Sequence, residues 1–241
     1  MRVHAAASCP AFFDGYAEQY DTVLNAALSA SGETKEYFAH GRMRWLATRL
    51  RRHGRPARRV LDYGCGTGTS IPLFFEYLDC AEVVGVDVSP RSLDCARRLC
   101  HALSGARLLP VDQHEPRAAF DLAFSNGVFH HVAPAERPAA IKHVYDSLRP
   151  GGAFAFWENN PWNPGARYSM RVNPFDRDAV PISAVEGRRL LRSAGFRVIE
   201  TTYLFYFPRP LRVFRFLEPA LARFPLGAQY LLLAAKPTTG Q

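Results

Sequence analysis

A short apolar run that ends in a glycine loop constrains this chain more than any other feature: Val60-Leu-Asp-Tyr-Gly-Cys-Gly-Thr-Gly-Thr69. Val60–Tyr63 is strand-like, the glycines stand at 64, 66 and 68, and a helical pattern follows over about 69–78. A buried strand that turns through glycines into a helix lets backbone N–H groups come close to a ligand. The spacing narrows the choice of ligand. A dinucleotide fingerprint wants its third glycine at 69, where Thr69 stands, and a phosphate-gripping loop wants Gly-Lys-Ser/Thr, which is absent. Asp62 lies inside the motif, awkward for a pyrophosphate and favourable for a cationic ligand.

The pattern around the loop alternates. Strand-like runs at Val60–Tyr63, Glu82–Asp87, Ala106–Asp112, Phe120–Ser125 and Gly152–Glu158 are separated by helical patterns at about 69–78, 89–101 and 134–148. Such alternation predicts right-handed crossovers and a parallel sheet. Ser183–Ala194 reads as a further helix stopped by Gly195, and Phe196–Phe207 and Gln229–Lys236 as two closing strands. Upstream, Phe12, Phe13, Tyr16 and Tyr20, then Tyr37, Phe38, Trp45, Leu46 and Leu50, recur at helical spacing. Residues 159–182 show no regular period and read as a long functional loop. Residues 208–224 read as an amphipathic insertion. The chain divides into an N-terminal helical cap, 1–58, and a core, 59–241, carrying these two insertions.

Polar clusters fall at the carboxyl ends of the strands, where open α/β sheets bind ligands. The second strand ends at Asp87, placed to accept from both ribose hydroxyls. The third ends at Asp112 and Gln113, a carboxylate and an amide suited to an exocyclic amine. The fourth ends Ser125-Asn-Gly-Val-Phe-His-His131.

Val60–Gly68, Val84–Ser89, Val111–Gln113, Phe120–His131 and Leu148–Gly152 together resemble the successive motifs of the class I S-adenosylmethionine-dependent methyltransferases, in order and at that family's spacing. The resemblance covers roughly residues 59–158. It implies a Rossmann-like α/β fold: a seven-stranded, mostly parallel sheet with an antiparallel last strand, helices on both faces, and a helical cap. It also implies S-adenosyl-L-methionine as cofactor and S-adenosyl-L-homocysteine as product. Residue by residue, Asp62, Gly64, Gly66 and Gly68 line the methionine part, with Cys65 in the loop as a small buried thiol. Asp87 holds the ribose diol, Val88 lies against the adenine, and Asp112, flanked by Gln113, accepts from adenine N6. Asn126 offers its carbonyl to the ammonium, and Gly127 and His131 complete that end of the set. Phe13–Asp21 is similar to the cap of small-molecule members, where a tyrosine reaches the cofactor; Tyr16 and Tyr20 are the candidates.

Transfer from a sulfonium mainly needs positioning and desolvation, with a base if the acceptor must lose a proton. His130, His131 and Glu158 are the candidate catalytic residues, with no choice made among them. Aromatic and amide side chains around the insertions, Trp157, Asn159, Asn160, Trp162, Tyr168 and Tyr206, are the candidate substrate contacts and suit an apolar or aromatic small molecule. Asn160-Pro-Trp162 follows the fifth strand and lacks a second proline, unlike the motif of nucleic-acid amino-methyltransferases. No metal is predicted, because no cluster of acidic ligands stands near the fourth strand.

Composition bears on partners. The net charge is +8, carried by 27 Arg and 3 Lys, which raises nucleic acid as a partner. The dense run from Arg42 to Arg59 nevertheless reads as the solvated face and end of a helix, and nucleic acid is not expected. Five cysteines without a CxxC pair predict free thiols. No apolar run reaches the roughly eighteen residues of a membrane span, and no signal peptide is read, so a cytoplasmic monomer or homodimer is expected. Two other functions fit the same residues: an RNA methyltransferase, or a cofactor-binding protein of this fold that carries out another reaction such as a cyclisation.

Overall fold

The computed structural model describes residues 20–238. Two helices, α1 (Tyr20–Leu28) and α2 (Lys35–Arg52), precede strand β1 (Arg59–Tyr63). Then come α3 (Ile71–Tyr77), β2 (Glu82–Asp87), α4 (Pro90–Leu99), β3 (Ala106–Pro110), β4 (Phe120–Asn126), α5 (Arg137–Ser147) and β5 (Leu148–Asn159). The chain closes with α6 (Pro164–Val172), α7 (Ala184–Ser193), β6 (Arg197–Leu204), a kinked 3-10 segment (Arg209–Leu217), α8 (Glu218–Leu221) and β7 (Gln229–Ala235). The seven strands lie in the order β3-β2-β1-β4-β5-β7-β6, and β7 runs antiparallel to both its neighbours. This is the expected sheet.

The central strands are apolar along their whole length because both faces are covered. In β5, Ala153, Ala155 and Trp157 point to one face and Phe154 and Phe156 to the other. In β7, Leu231 and Leu233 share the first face while Leu232 and Ala234 share the second. Phe38, Met43, Leu46 and Leu50 of α2 pack on the first face with residues of α3 and α4, and α5 and α7 cover the second. Helix α2 is therefore a layer of the core as well as part of the N-terminal segment.

Two local differences from the sequence reading have plain causes. Residues 159–182 hold a helix, α6: Asn163 caps it by accepting the Ala166 N–H at 2.8 Å, and Pro164 occupies the first turn. An Asn-Pro pair that reads as a loop signal here starts a helix. The third strand stops at Pro110, and residues 111–113 curl into a 3-10 turn, so Asp112 and Gln113 are exposed on that turn. Among the described residues, no helix is long and apolar enough to cross a membrane.

Candidate functional site

β1 and β4 are adjacent although they are not consecutive, and their carboxyl ends open the crevice where a doubly wound sheet takes its ligand. The glycine loop folds back over β2, the N–H groups of Gly64 and Cys65 both reaching the Val86 carbonyl, at 2.8 and 3.0 Å. Gly64 has φ +75°, and a Cβ there would stand 2.4 Å from Val128 Cγ2. Gly66 also has positive φ, but a Cβ on it would meet nothing within 4 Å, so the loop presents an open face there. Its N–H donates to Asp87 Oδ2 at 2.8 Å, while Asp87 Oδ1 accepts from Ser89 N at 2.9 Å. Asp87 thus ties the loop to the start of α4.

Asp62 is buried beneath this loop, and its Oδ2 has no hydrogen-bond partner among the described residues. Burial, and then the charge on Asp87, push its carboxyl up to about 8. A buried acid held this way calls for a cation. Beside it lies a cavity of about 90 Å³, with Asn126, Phe124, Leu24, Lys35, Arg42 and the loop around it. That is room for about three waters, enough for the end of a ligand and not for a nucleoside.

Lys35 and Arg42 are absent from the sequence-based site. Arg42 belongs to the arginine run read as a solvated helix face, yet it is buried, and its Nη1 donates to Gln229 Oε1 at 2.9 Å. Its spacing holds the signal, since Phe38, Arg42 and Leu46 follow one another at i, i+4 on the buried face of α2. Lys35 Nζ reaches Thr69 Oγ1 at 3.3 Å. Three others of the run are engaged, Arg49 with Glu200 at 3.2 Å, Arg59 with Glu82 at 2.9 Å and Arg55 with the Gly151 carbonyl at 2.5 Å, while Arg44, Arg51 and Arg52 are exposed.

Of the remaining expected cofactor residues, Asn126 lines the cavity, and Gly127 donates to the Trp157 carbonyl at 3.0 Å. Val88 is half-buried just past β2. Gly68 donates to the Cys65 carbonyl at 2.9 Å, and burial pushes the Cys65 thiol well above its usual range. Tyr16 lies outside the described residues. Tyr20 opens α1, and its side chain is outside them too.

The three candidate catalytic residues form a buried cluster with a fourth that the sequence did not reveal. His130 Nδ1 lies 2.5 Å from Glu158 Oε2, and His130 Nε2 lies 3.1 Å from Asp176 Oδ1. Glu158 Oε1 also accepts the Phe129 N–H at 2.8 Å. Burial works against a charge on His130, but the Glu158 and Asp176 carboxylates outweigh it and raise the imidazole to about 10. His131 Nε2 is 3.4 Å from the same Asp176 oxygen, and burial together with the His130 charge lowers it to about 3. His130 is therefore a cation clamped between two carboxylates, and His131 is neutral. Arg137 completes the clamp, its guanidinium reaching the carbonyls of Phe129, Val132 and Val180.

None of the six candidate substrate residues lines the cavity beside Asp62. Trp157 is wholly enclosed in the core, its indole N–H buried without a partner among the described residues. Asn160 is also buried, donating to the Pro225 and Gly227 carbonyls at 3.0 and 2.9 Å, and Asn159 accepts from Gln229 at 3.2 Å. Trp162 and Tyr168 are half-exposed. The Tyr206 hydroxyl sits between the carbonyls of Leu221 and Phe224, at 2.6 and 2.5 Å. Asn160 and Tyr206 brace the loops after β5 and β6, Asn159 links β5 to β7, and Trp157 is packed in the core.

A family model described as a methyltransferase domain matches residues 61–154. Over 172 residues the chain is 27% identical to a carboxy-S-adenosyl-L-methionine synthase of Campylobacter curvus, covering 61% of this chain and 74% of that protein. Over 120 residues it is 38% identical to a tRNA U34 carboxymethyltransferase of Shewanella denitrificans, covering 45% of this chain and 34% of that relative. Among solved structures, an S-adenosylmethionine-dependent methyltransferase from Thermotoga maritima, titled a possible histamine N-methyltransferase, superimposes with a TM-score of 0.65 at 20% identity. That match covers 94% of this chain and 98% of the other. It is a likeness of fold.

Proposed function

Since this chain belongs to the class I S-adenosylmethionine-dependent methyltransferases and its cofactor is S-adenosylmethionine, we propose that it moves the cofactor's methyl group to an O, N or C acceptor on a small molecule. The observation that carries this reading is the buried Asp62 Oδ2, without a hydrogen-bond partner among the described residues, beside the open face of Gly66. The residues fit the cofactor's amino-acid end: Asp62 and the Asn126 carbonyl take the ammonium, and Lys35 and Arg42 face the carboxylate. Asp87 takes the ribose diol, Val88 the adenine face, and Asp112 with Gln113 the adenine edge.

The bound cofactor supplies a methyl group already activated on sulfur. The protein's part is to hold it, orient the acceptor and keep water out. His130, Glu158 and Asp176 are positioning residues in this reading. His130 holds its proton between two carboxylates, Glu158 is occupied by two donors, and His131 is too weak a base to keep a proton near neutral pH. The cluster joins the turn after β4, the end of β5 and the 3-10 turn Pro174–Asp176 into one wall. A small acceptor is favoured over RNA because the arginine run does not form one free basic face: Arg42 is buried, and Arg49, Arg58 and Arg59 meet carboxylates.

Calorimetric titration with S-adenosylmethionine, followed by a mass-spectrometric screen of candidate acceptors for S-adenosylhomocysteine, tests the reading. Binding that Asp62→Asn weakens at least about tenfold, the worth of one charged hydrogen bond, supports it. Equal binding by the two proteins removes Asp62 from the site. A second reading is a reaction that handles a carboxylated cofactor. The likeness to a carboxy-S-adenosyl-L-methionine synthase, over 61% of this chain, favours it. Mass analysis of the nucleoside product separates the two.

A further inference from the structure

The 3-10 segment Arg209–Leu217 and helix α8 contain no buried residue, although more than a third of their side chains are large and apolar. Phe216 is 75% exposed and Val213 67%, and Phe224 and Leu226 of the following loop are each more than half exposed. Trp162 joins them from the adjoining turn, where Asn163 Nδ2 donates to the Leu226 carbonyl at 2.7 Å. Patches of this kind on a folded surface mark a site of contact.

The exposure is held in place. The Glu218 carboxylate accepts the N–H groups of Tyr206 and Phe207, both at 3.1 Å. Arg215 pairs with Glu33 at 2.8 Å and lies over the Tyr37 ring. The Tyr206 hydroxyl anchors the far end of the segment. Polar groups are turned inward to fix the segment while apolar side chains are turned out.

We propose that this face docks the protein on an anionic lipid bilayer. Arg209, Arg212 and Arg223 are exposed on it, and none has an acidic partner among the described residues; the segment's one acid, Glu218, is used inward. Basic side chains beside outward phenylalanines and leucines match the boundary between anionic headgroups and acyl chains. A second copy of the chain is a poorer match, because a self-complementary contact brings the arginines against their own copies. The segment joins the carboxyl end of β6 to β7, and β6 runs parallel to β1, so the face lies along the same sheet edge as the glycine loop. If the methyl-transfer reading holds, that edge meets an acceptor carried in the bilayer. Docking does not depend on that reading, and its test uses no acceptor.

The test is co-sedimentation of the full chain with vesicles of phosphatidylcholine alone and of phosphatidylcholine with a quarter phosphatidylglycerol. Binding is expected to the anionic vesicles, to weaken as salt rises, and to be slight on phosphatidylcholine. Val213→Ser with Phe216→Ser should weaken it about tenfold or more, the loss expected when two large apolar side chains no longer leave water. Arg209→Glu with Arg212→Glu should do the same. Because these side chains are exposed, both variants should keep the wild-type melting temperature, which separates lost docking from lost folding. Equal sedimentation of wild type and both variants overturns the proposal. So does a concentration-dependent dimer, seen by analytical ultracentrifugation, that Val213→Ser with Phe216→Ser dissolves.

Discussion

His130 Nε2 lies 3.1 Å from Asp176 Oδ1 across 46 residues of chain, and the same imidazole meets Glu158 through its other nitrogen. All three side chains are nearly closed to solvent. Removing Asp176 leaves the His130–Glu158 pair in place but takes away a hydrogen bond to a charged group, worth about 1.5–3 kcal/mol. Asp176→Ala should therefore lower the melting temperature by roughly 3–12 °C, at about 2–4 °C per kcal/mol for a chain of this size. The folded His130 titrates near 10 and its ordinary value is 6.5, so the cluster's contribution is full below about pH 6.5 and is lost as pH rises toward 10. Urea unfolding at pH 7 and at pH 10 should show a smaller penalty for Asp176→Ala at the higher pH. His131 disturbs that comparison little, being neutral when folded and mostly neutral when unfolded from pH 7 upward. A penalty unchanged between the two would mean that His130 is not charged.

Asp62 gives cofactor binding its own pH dependence. Its carboxyl is raised from 3.8 to about 8, so between those values the folded protein holds a proton that the unfolded chain has released. A raised acid of this kind lowers stability as pH climbs through the window, the reverse of a salt-bridged carboxylate. An ammonium at this site needs the ionised form. Affinity for S-adenosylmethionine should rise by up to about tenfold per pH unit from pH 6 to 8 and then level off. Below pH 8, binding should release a proton, seen as a dependence of the calorimetric heat on the buffer's ionisation enthalpy. Asp62→Asn should flatten both; a flat wild-type profile would remove Asp62 as the titrating group.

Lys35 and Arg42 divide the cofactor by its parts. If they hold its carboxylate, Arg42→Met and Lys35→Met should each weaken S-adenosylmethionine about tenfold to a hundredfold, the range for a hydrogen bond to a charged group. Methylthioadenosine, which has no amino-acid end, should bind all three proteins alike. Arg42 also bonds Gln229, so a melting curve should accompany the titration. Loss of both ligands together would put Arg42 in the framework of the fold instead.

The parallel sheet was legible because its strands are buried on both faces and so read as unbroken apolar runs, as Ala153–Trp157 does. The glycine loop and the acidic strand ends were legible because backbone geometry and strand-end placement leave a local trace. Helix α6 was hidden because Asn163-Pro164 serves equally as a loop or as a cap with its first turn. Arg42 was hidden by its neighbours, since a run of arginines invites counting charge before locating each residue on the helix. Asp176 leaves no local trace of this role: the imidazoles it meets, His130 and His131, lie about 45 residues away, and contacts between distant segments have no period to read. Trp157 was misplaced for the opposite reason, because an aromatic at a strand end looks like a cleft wall until the opposite layer is known to cover it.

Gly64 tests how tightly the loop is seated. With φ at +75° and a Cβ position 2.4 Å from Val128 Cγ2, Gly64→Ala should carry two separable costs. Left-handed backbone for a non-glycine residue costs about 1–2 kcal/mol. Forcing a methyl group into occupied space costs about 1–3 kcal/mol more. Val128→Ala removes most of the second cost and leaves the first, because it takes away both γ-methyl groups, leaves only Cβ at 3.2 Å, and does not change φ. In urea unfolding the double variant should therefore be more stable than the sum of the two single losses predicts, by about 1–2 kcal/mol. Strict additivity would mean that the loop moves away from Val128 when the methyl is added. The N–H groups of Gly64 and Cys65 would then no longer be fixed on the Val86 carbonyl. Cofactor affinity measured on the same variants distinguishes these cases, since only a displaced loop takes the open face of Gly66 with it.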